Sequence, residues 1–139
     1  MREPTIYELQ PVGWVESPLT DRAAAPKQGD EGAPQARIVF RPEIWEAAAD
    51  LRAGDEILVL TWLHLGNRDT LSVHPRDDLS RPIQGVFSTR SSDRPNPIGL
   101  HRVIIVSVAE NAITVRNLEA IDGTPVIDVK PVLGEVNER

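Results

Sequence analysis

Aliphatic and β-branched residues come in short runs along this chain, and turn residues separate the runs. The pattern predicts strands over Pro11–Glu16, Ala36–Phe40, Glu56–Leu65, Thr70–Val73, Gly85–Arg90, His101–Ala109, Ala112–Arg116 and Pro125–Val129. Val103 to Val108 is apolar at nearly every position, which predicts a strand buried on both faces. Glu110-Asn111 reads as a tight hairpin turn, and Asp122-Gly123 as a second turn before the last strand. One stretch has a different period. In RPEIWEAAADLRAGDE, Ile44, Ala47, Ala48 and Leu51 recur at helical spacing, Pro42 suits a first helical turn and Gly54 a left-handed cap. Thr20–Pro34 and His74–Pro82 read as long loops. The expectation is a mostly β fold: a single compact β-barrel over residues 1–139, with one short helix and long rim loops.

The bulk properties narrow the chemistry. The chain of 139 residues suits one domain with its own core. It has no cysteine, so disulfides and thiolate metal sites are excluded. Its first residues lack the apolar core of a signal peptide, and the longest apolar run, Ile57–Leu65, is interrupted by Thr61 and His64. A soluble, cytoplasmic protein away from membranes is the expectation. The net charge is −6, yet between His64 and Arg102 six arginines stand against four aspartates. This basic island in an acidic chain favours an anionic ligand there. His64, His74 and His101 fall in the same window, but none of their spacings suits a metal, and no metal is expected.

The densest chemistry lies in GVFSTRSSDRPNPIGLHR, Gly85–Arg102. Pro95 and Pro97 fix two φ angles and bias the residues before them to extended geometry, so Arg94 and Asn96 sit on a stiff strut. A stiff loop loses little entropy when it binds a ligand. Gly99 suits a close approach of ligand or backbone. If the first residues form a strand, Arg90 points with Ser88, and Phe87 with Thr89. The alternative is a rigid corner whose arginines pair with Asp93 and nearby carboxylates.

That stretch, together with DGTPVIDVKP (Asp122–Pro131), resembles the signature of the TrmO/TsaA-like family. VGWVESP (Val12–Pro18) resembles the family's opening strand. PKQGDEG (Pro26–Gly32) resembles its Pro-Arg-Gln loop, with Lys27 in place of Arg, and LVLTWLHLGN (Leu58–Asn67) its strand ending in His. The resemblance implies S-adenosylmethionine as cofactor and a compact antiparallel β-barrel. It implies a homodimer with the cofactor near the subunit interface. The activity implied is N6-methylation of threonylcarbamoyladenosine next to the anticodon of tRNA. The chain also lacks the G-x-G-x-x-G of a Rossmann-type enzyme.

Carried over by position, the resemblance implies cofactor contacts at Gly29, Asp30, Glu31, Asn67, Arg68, Arg90, Leu100, Arg116, Asn117, Leu118 and Glu119. Arg90 suits the methionine carboxylate, Asn117 or Glu119 the ribose hydroxyls, and Leu100 and Leu118 the two sides of the adenine. Asp122 and Asp128 are the candidate proton acceptors, and Asn96 a partner for the target base. Strand alternation places Val126, Asp128 and Lys130 on one face. Arg76, Arg81, Arg94, Arg102 and Lys130 are the candidate RNA contacts. Some positions depart from the family. Val132-Leu133-Gly134 replaces Tyr-Leu-Pro, His101-Arg102 follows Leu100 where a small polar residue is expected, the loop His74–Arg81 is rewritten, and, with the sequence stopping at Arg139, the C-terminal domain of longer members is not expected. These changes fall more on the substrate side than on the cofactor side. A paralogue that methylates a small molecule and a non-catalytic S-adenosylmethionine-binding regulator are the alternative readings.

Overall fold

β2 (Ala36–Phe40) shows the local rule that builds this protein. Ala36, Ile38 and Phe40 point inward and are at most 6% exposed, while Arg37 faces out. The period of two buries one face and leaves the other in water. The computed structural model describes residues 2–20 and 34–134.

The other strands are β1 (Gly13–Glu16), β3 (Glu56–Trp62), β4 (Ser72–Val73), β5 (Gln84–Gly85), β6 (Ile98–Ala109), β7 (Ala112–Arg116) and β8 (Pro125–Pro131). All their pairings are antiparallel. Six of the strands run β1-β2-β7-β6-β3-β8 and back to β1, so the sheet closes on itself, the topology of a barrel. β4 and β5 form a separate two-stranded ribbon outside it. Inside the ring, Val15, Ile38, Ile57, Val59, Val103, Ile105, Ile113, Val115, Leu118 and Val126 make one apolar core. Among the described residues no helix is long and apolar enough to cross a membrane.

Both turn signals in the sequence correspond to turns. Asn111 takes a φ of 60° between β6 and β7, and Gly123 a φ of 83° before β8. Four expectations need correction. Pro42–Ala48 is a 3-10 helix, and its C-cap is Ala49 in the ordinary right-handed region. Gly54 keeps the left-handed φ, 94°, but uses it in the turn into β3, where its N–H bonds Ile105 O at 2.8 Å. The strand expected over Gly85–Arg90 ends at Gly85; a 3-10 turn, Val86–Ser88, follows, so alternation does not orient Arg90. Val103–Val108 is not buried on both faces. Val103 and Ile105 enter the core, but the β6–β7 register slips between Ile105 and Ser107, so Val106, 37% exposed, is the extra residue of a bulge, and Val108, opposite the core residue Ile113, is still 41% exposed near the end of the strand.

β8 is the fourth element that departs from expectation. The β3–β8 register passes from Leu60↔Asp128 to Thr61↔Val126, so Ile127 is an extra residue in a bulge. Val126 and Val129 both turn toward the core, while Asp128 and Lys130 turn outward. Val126 therefore does not share a face with Asp128 and Lys130. These two pair with each other at 3.2 Å.

Candidate functional site

A groove of about 1540 Å³ opens where β3 ends and β6 begins. Its walls are the turn Leu63–Gly66, the loop from Phe87 to Arg94 with Asn96, the start of β6 from Ile98 to Arg102, and Asn117 and Glu119 just after β7.

The loop wall is held from behind. Leu63 N–H donates to Pro97 O at 2.7 Å, tying the end of β3 to the Pro-Asn-Pro strut. Gly66 sits against this strut so closely that a Cβ there would overlap Ser92 O and lie 3.0 Å from Pro97 Cβ. Arg68 stacks 5.2 Å from the Trp62 ring centre, donates from Nε to Pro95 O at 2.7 Å, and donates from Nη2 to Asn96 Oδ1 at 2.7 Å. Asn67 N–H reaches Asp93 Oδ1 at 2.9 Å. Arg94 folds back onto the loop, donating to Thr89 O and Ser91 O over the Phe87 ring. Asn67 and Arg68 therefore brace the wall rather than line the groove, and Arg94 lines it with its guanidinium engaged by the loop itself. Arg90 is different. It is exposed, it lines the groove, and it has no hydrogen-bond or ion-pair partner among the described residues.

The opposite wall comes from a change of direction after β7. Asn117 takes a left-handed φ of 71°. The next residues then alternate: Leu118 goes into the core at 0% exposure, and Glu119 faces the groove. Leu118 is thus a core residue, and its expected place beside an adenine is corrected. Leu100, on the outer face of β6 and 44% exposed, does line the groove.

Behind Glu119 lies a buried polar chain that the sequence reading missed. Glu119 Oε1 is 2.5 Å from His101 Nδ1, and His101 Nε2 is 2.7 Å from Thr61 Oγ1. His101 is 4% and Thr61 0% exposed. Register explains the meeting, since Thr61 pairs with Gly99, one inward position from His101. A signal was present: Thr61 and His101 occupy the inward series of β3 and β6, where the other members are apolar or glycine.

The remaining expected residues scatter. Asp122 accepts from Ser17 N–H at 3.0 Å and clasps the end of β1; it does not line the groove. Asp128 faces a second, smaller groove of about 560 Å³ beside the 3-10 helix, as does Lys130. Neither Asp122 nor Asp128, the expected proton acceptors, lines the main groove. Arg116 is exposed outside the groove, and Arg81 pairs with Asp78 at 3.5 Å, also outside it. Arg76 lines the groove from a backbone with φ of 56°, and Asp77 follows with φ of 58°. Gly29, Asp30 and Glu31 lie outside the described residues. No group of three or more His, Asp or Glu side chains among the described residues is arranged to hold a metal.

Arg102 lines the rim and holds Glu56, Nε to Oε2, at 2.8 Å. That hydrogen bond, with the charge attraction behind it, lowers the Glu56 carboxyl below its ordinary value. A carboxyl lowered by folding stabilises the protein above its unfolded pKa and loses that contribution as pH falls through the folded value. Arg102→Ala is expected to raise the Glu56 midpoint back toward the usual glutamate range. A carboxyl-detected NMR titration reads it, and an unmoved midpoint would mean that the pair does not persist in solution. The Asp78 carboxyl is lowered too, first by the Ser80 hydroxyl and then by the Ser80 backbone N–H.

Residues 14–138 match the family model described as the tRNA-methyltransferase O N-terminal domain. The chain is similar to a probable S-adenosyl-L-methionine-binding protein of Methanothermobacter thermautotrophicus, 43% identical over 129 residues, which covers 93% of this chain and 92% of that one. It is 39% identical over 129 residues to an S-adenosyl-L-methionine-binding protein of Archaeoglobus fulgidus, covering 93% and 91%. Its fold is like that of the crystal structure of TrmO from Pseudomonas aeruginosa, with a TM-score of 0.75 at 24% identity over 97% of this chain. This chain spans only 60% of that longer protein.

Proposed function

Because the chain belongs to the tRNA-methyltransferase O N-terminal domain family, we propose that it binds S-adenosylmethionine in the main groove and N6-methylates threonylcarbamoyladenosine next to the anticodon of tRNA. The observation that carries this reading is Arg90, an exposed guanidinium on the groove without a partner of its own among the described residues. The names of the two archaeal relatives support the cofactor.

The groove's residues fit such a ligand. Arg90 presents a planar fork of donors that suits a carboxylate. Glu119 and Asn117 present acceptors for hydroxyls, and Leu100 and Ile98 present apolar surface for a purine. When bound, S-adenosylmethionine supplies an electrophilic methyl on a cationic sulfur. Asn96 has its Oδ1 held by Arg68, which leaves the amide N–H₂ as the end available to a base. The stiff strut under Asn96 keeps that donor in place and reduces the entropy lost on binding. Arg76 and Arg102 line the groove, Arg102 with Glu56 as its partner, and both add positive charge on the side where a phosphate chain would run. Arg81 and Lys130 lie away from the groove, and an RNA would have to extend past it to meet them.

A second copy of the chain belongs to the same reading. Ile98 and Leu100 on the outer side of β6 are 43% and 44% exposed, and Phe87 beside the groove is 84% exposed. An apolar edge of this kind next to a site suits a homodimer. Light scattering is expected to give twice the chain mass.

Calorimetric titration with S-adenosylmethionine, followed by a methyl-transfer assay on tRNA carrying threonylcarbamoyladenosine, tests the whole. Saturable binding and transfer are expected, and tRNA affinity should fall steeply with added salt. Binding without transfer would favour the regulatory reading, which the position of Asp122 and Asp128 away from the groove also favours. No binding would remove both.

A further inference from the structure

We propose that His101 is a positioning residue for Glu119: it holds one carboxylate oxygen so that the other accepts a hydrogen bond from a ribose hydroxyl in the groove. The inference rests on the reading of that groove as the S-adenosylmethionine site.

Three observations carry it. The first is the chemistry of the buried chain. A carboxylate only accepts, so the 2.5 Å contact from Glu119 Oε1 places the hydrogen on His101 Nδ1. In the neutral ring Nε2 is then an acceptor, and the Thr61 hydroxyl, 2.7 Å away, donates to it. Each member has a partner of the right kind, and the ring orientation is set from both sides. The second is space. Gly99 leaves room for the ring; a Cβ there would lie 2.7 Å from His101 Nε2 and overlap Thr61 Oγ1. The third is what remains unused. The Glu119 side chain is 17% exposed, while that of His101 is 3% exposed. No partner is found for Glu119 Oε2 among the described residues, although the residue lines the groove. A carboxylate clamped at one oxygen and open at the other is a preorganised acceptor. It suits a neutral hydroxyl donor, and the ribose is the part of this ligand that offers two. A second layer that orients a ligand-binding group in this way commonly changes affinity without touching the ligand.

The test compares two ligands on three proteins by calorimetry: S-adenosylmethionine and its 2′,3′-dideoxyribose analogue, with wild type, His101→Leu and His101→Asn. The asparagine amide can place a donor near the position of Nδ1; leucine cannot. His101→Leu is expected to weaken S-adenosylmethionine about tenfold, the size of one lost hydrogen bond to a charged group. His101→Asn is expected to restore most of that loss. The dideoxy analogue should bind all three proteins alike, because it has no hydroxyl for Glu119 to hold. Glu119→Gln offers a milder perturbation if the core variants do not fold, and should also weaken S-adenosylmethionine more than the analogue. Equal weakening of both ligands would make His101 a packing residue and overturn the inference. So would unchanged affinity in a folded variant. Failure of wild type to bind S-adenosylmethionine would instead remove the reading beneath it, and the inference with it.

Discussion

Arg90→Ala is expected to weaken S-adenosylmethionine binding by about ten- to hundredfold, the range for a lost charge-assisted hydrogen bond, while the melting temperature stays where it is. The two halves of this expectation come from the same fact. Arg90 has no partner among the described residues, so the folded chain gives up no intramolecular bond when the side chain goes. Its neighbours behave differently. Arg94 donates to two loop carbonyls, and Arg68 braces Pro95 and Asn96, so truncation of either disturbs the wall as well as the charge. Arg90→Lys should recover only part of the affinity, because an ammonium keeps the charge but not the planar fork. Calorimetry for affinity and a thermal melt for stability separate the cases. Unchanged affinity in Arg90→Ala would take Arg90 out of the site and, with it, the observation on which the proposed function stands.

Gly66→Ala should be the most damaging single methyl in the groove wall. The added Cβ would meet Ser92 O and stand 3.0 Å from both Leu63 O and Pro97 Cβ. Two of these three are backbone atoms, which cannot turn away as the end of a long side chain can. Either the turn after β3 or the Ser92–Pro97 segment has to move. Overpacking of this kind costs about 1–3 kcal/mol, and the upper end is expected where backbone meets backbone. Gly85→Ala is the matched control, since its nearest neighbour is Leu71 O at 4.0 Å and its φ of −60° suits any residue. Urea unfolding of the two variants measures the difference. A Gly66→Ala protein as stable as Gly85→Ala would show that the wall yields easily, contrary to the bracing by Arg68, Asn67 and the Leu63–Pro97 bond.

Much of this protein is legible along the chain, and for a local reason. β2 and β7 have the bounds that their β-branched runs predict, and the turns at Asn111 and Gly123 fall where the turn residues stand. Period, turn chemistry and proline geometry depend on near neighbours, and near neighbours are what a sequence displays. The same holds for Arg90, Asn96 and Leu100, which reach the groove because one stiff loop and the first half of β6 carry them together.

What failed depends on how distant strands meet. One extra residue at Ile127 turns Val126 to the core and Asp128 outward, and no local pattern announces a bulge set by the register against β3. A second bulge, after Ile105 in the register against β7, takes Val106 out of the alternation of β6 and leaves it exposed. A left-handed Asn117 turns Leu118 into the core and leaves Glu119 at the groove. Thr61, His101 and Glu119 belong to three segments, and only the pairing of β3 with β6 and the turn after β7 bring them within hydrogen-bond reach. By itself, then, the amino-acid sequence determined most of the strands, the stiff basic loop and the family. The tertiary structure alone decided which carboxylate faces the groove and what holds it, because those contacts are set by strand register and closure across the ring rather than by neighbours along the chain.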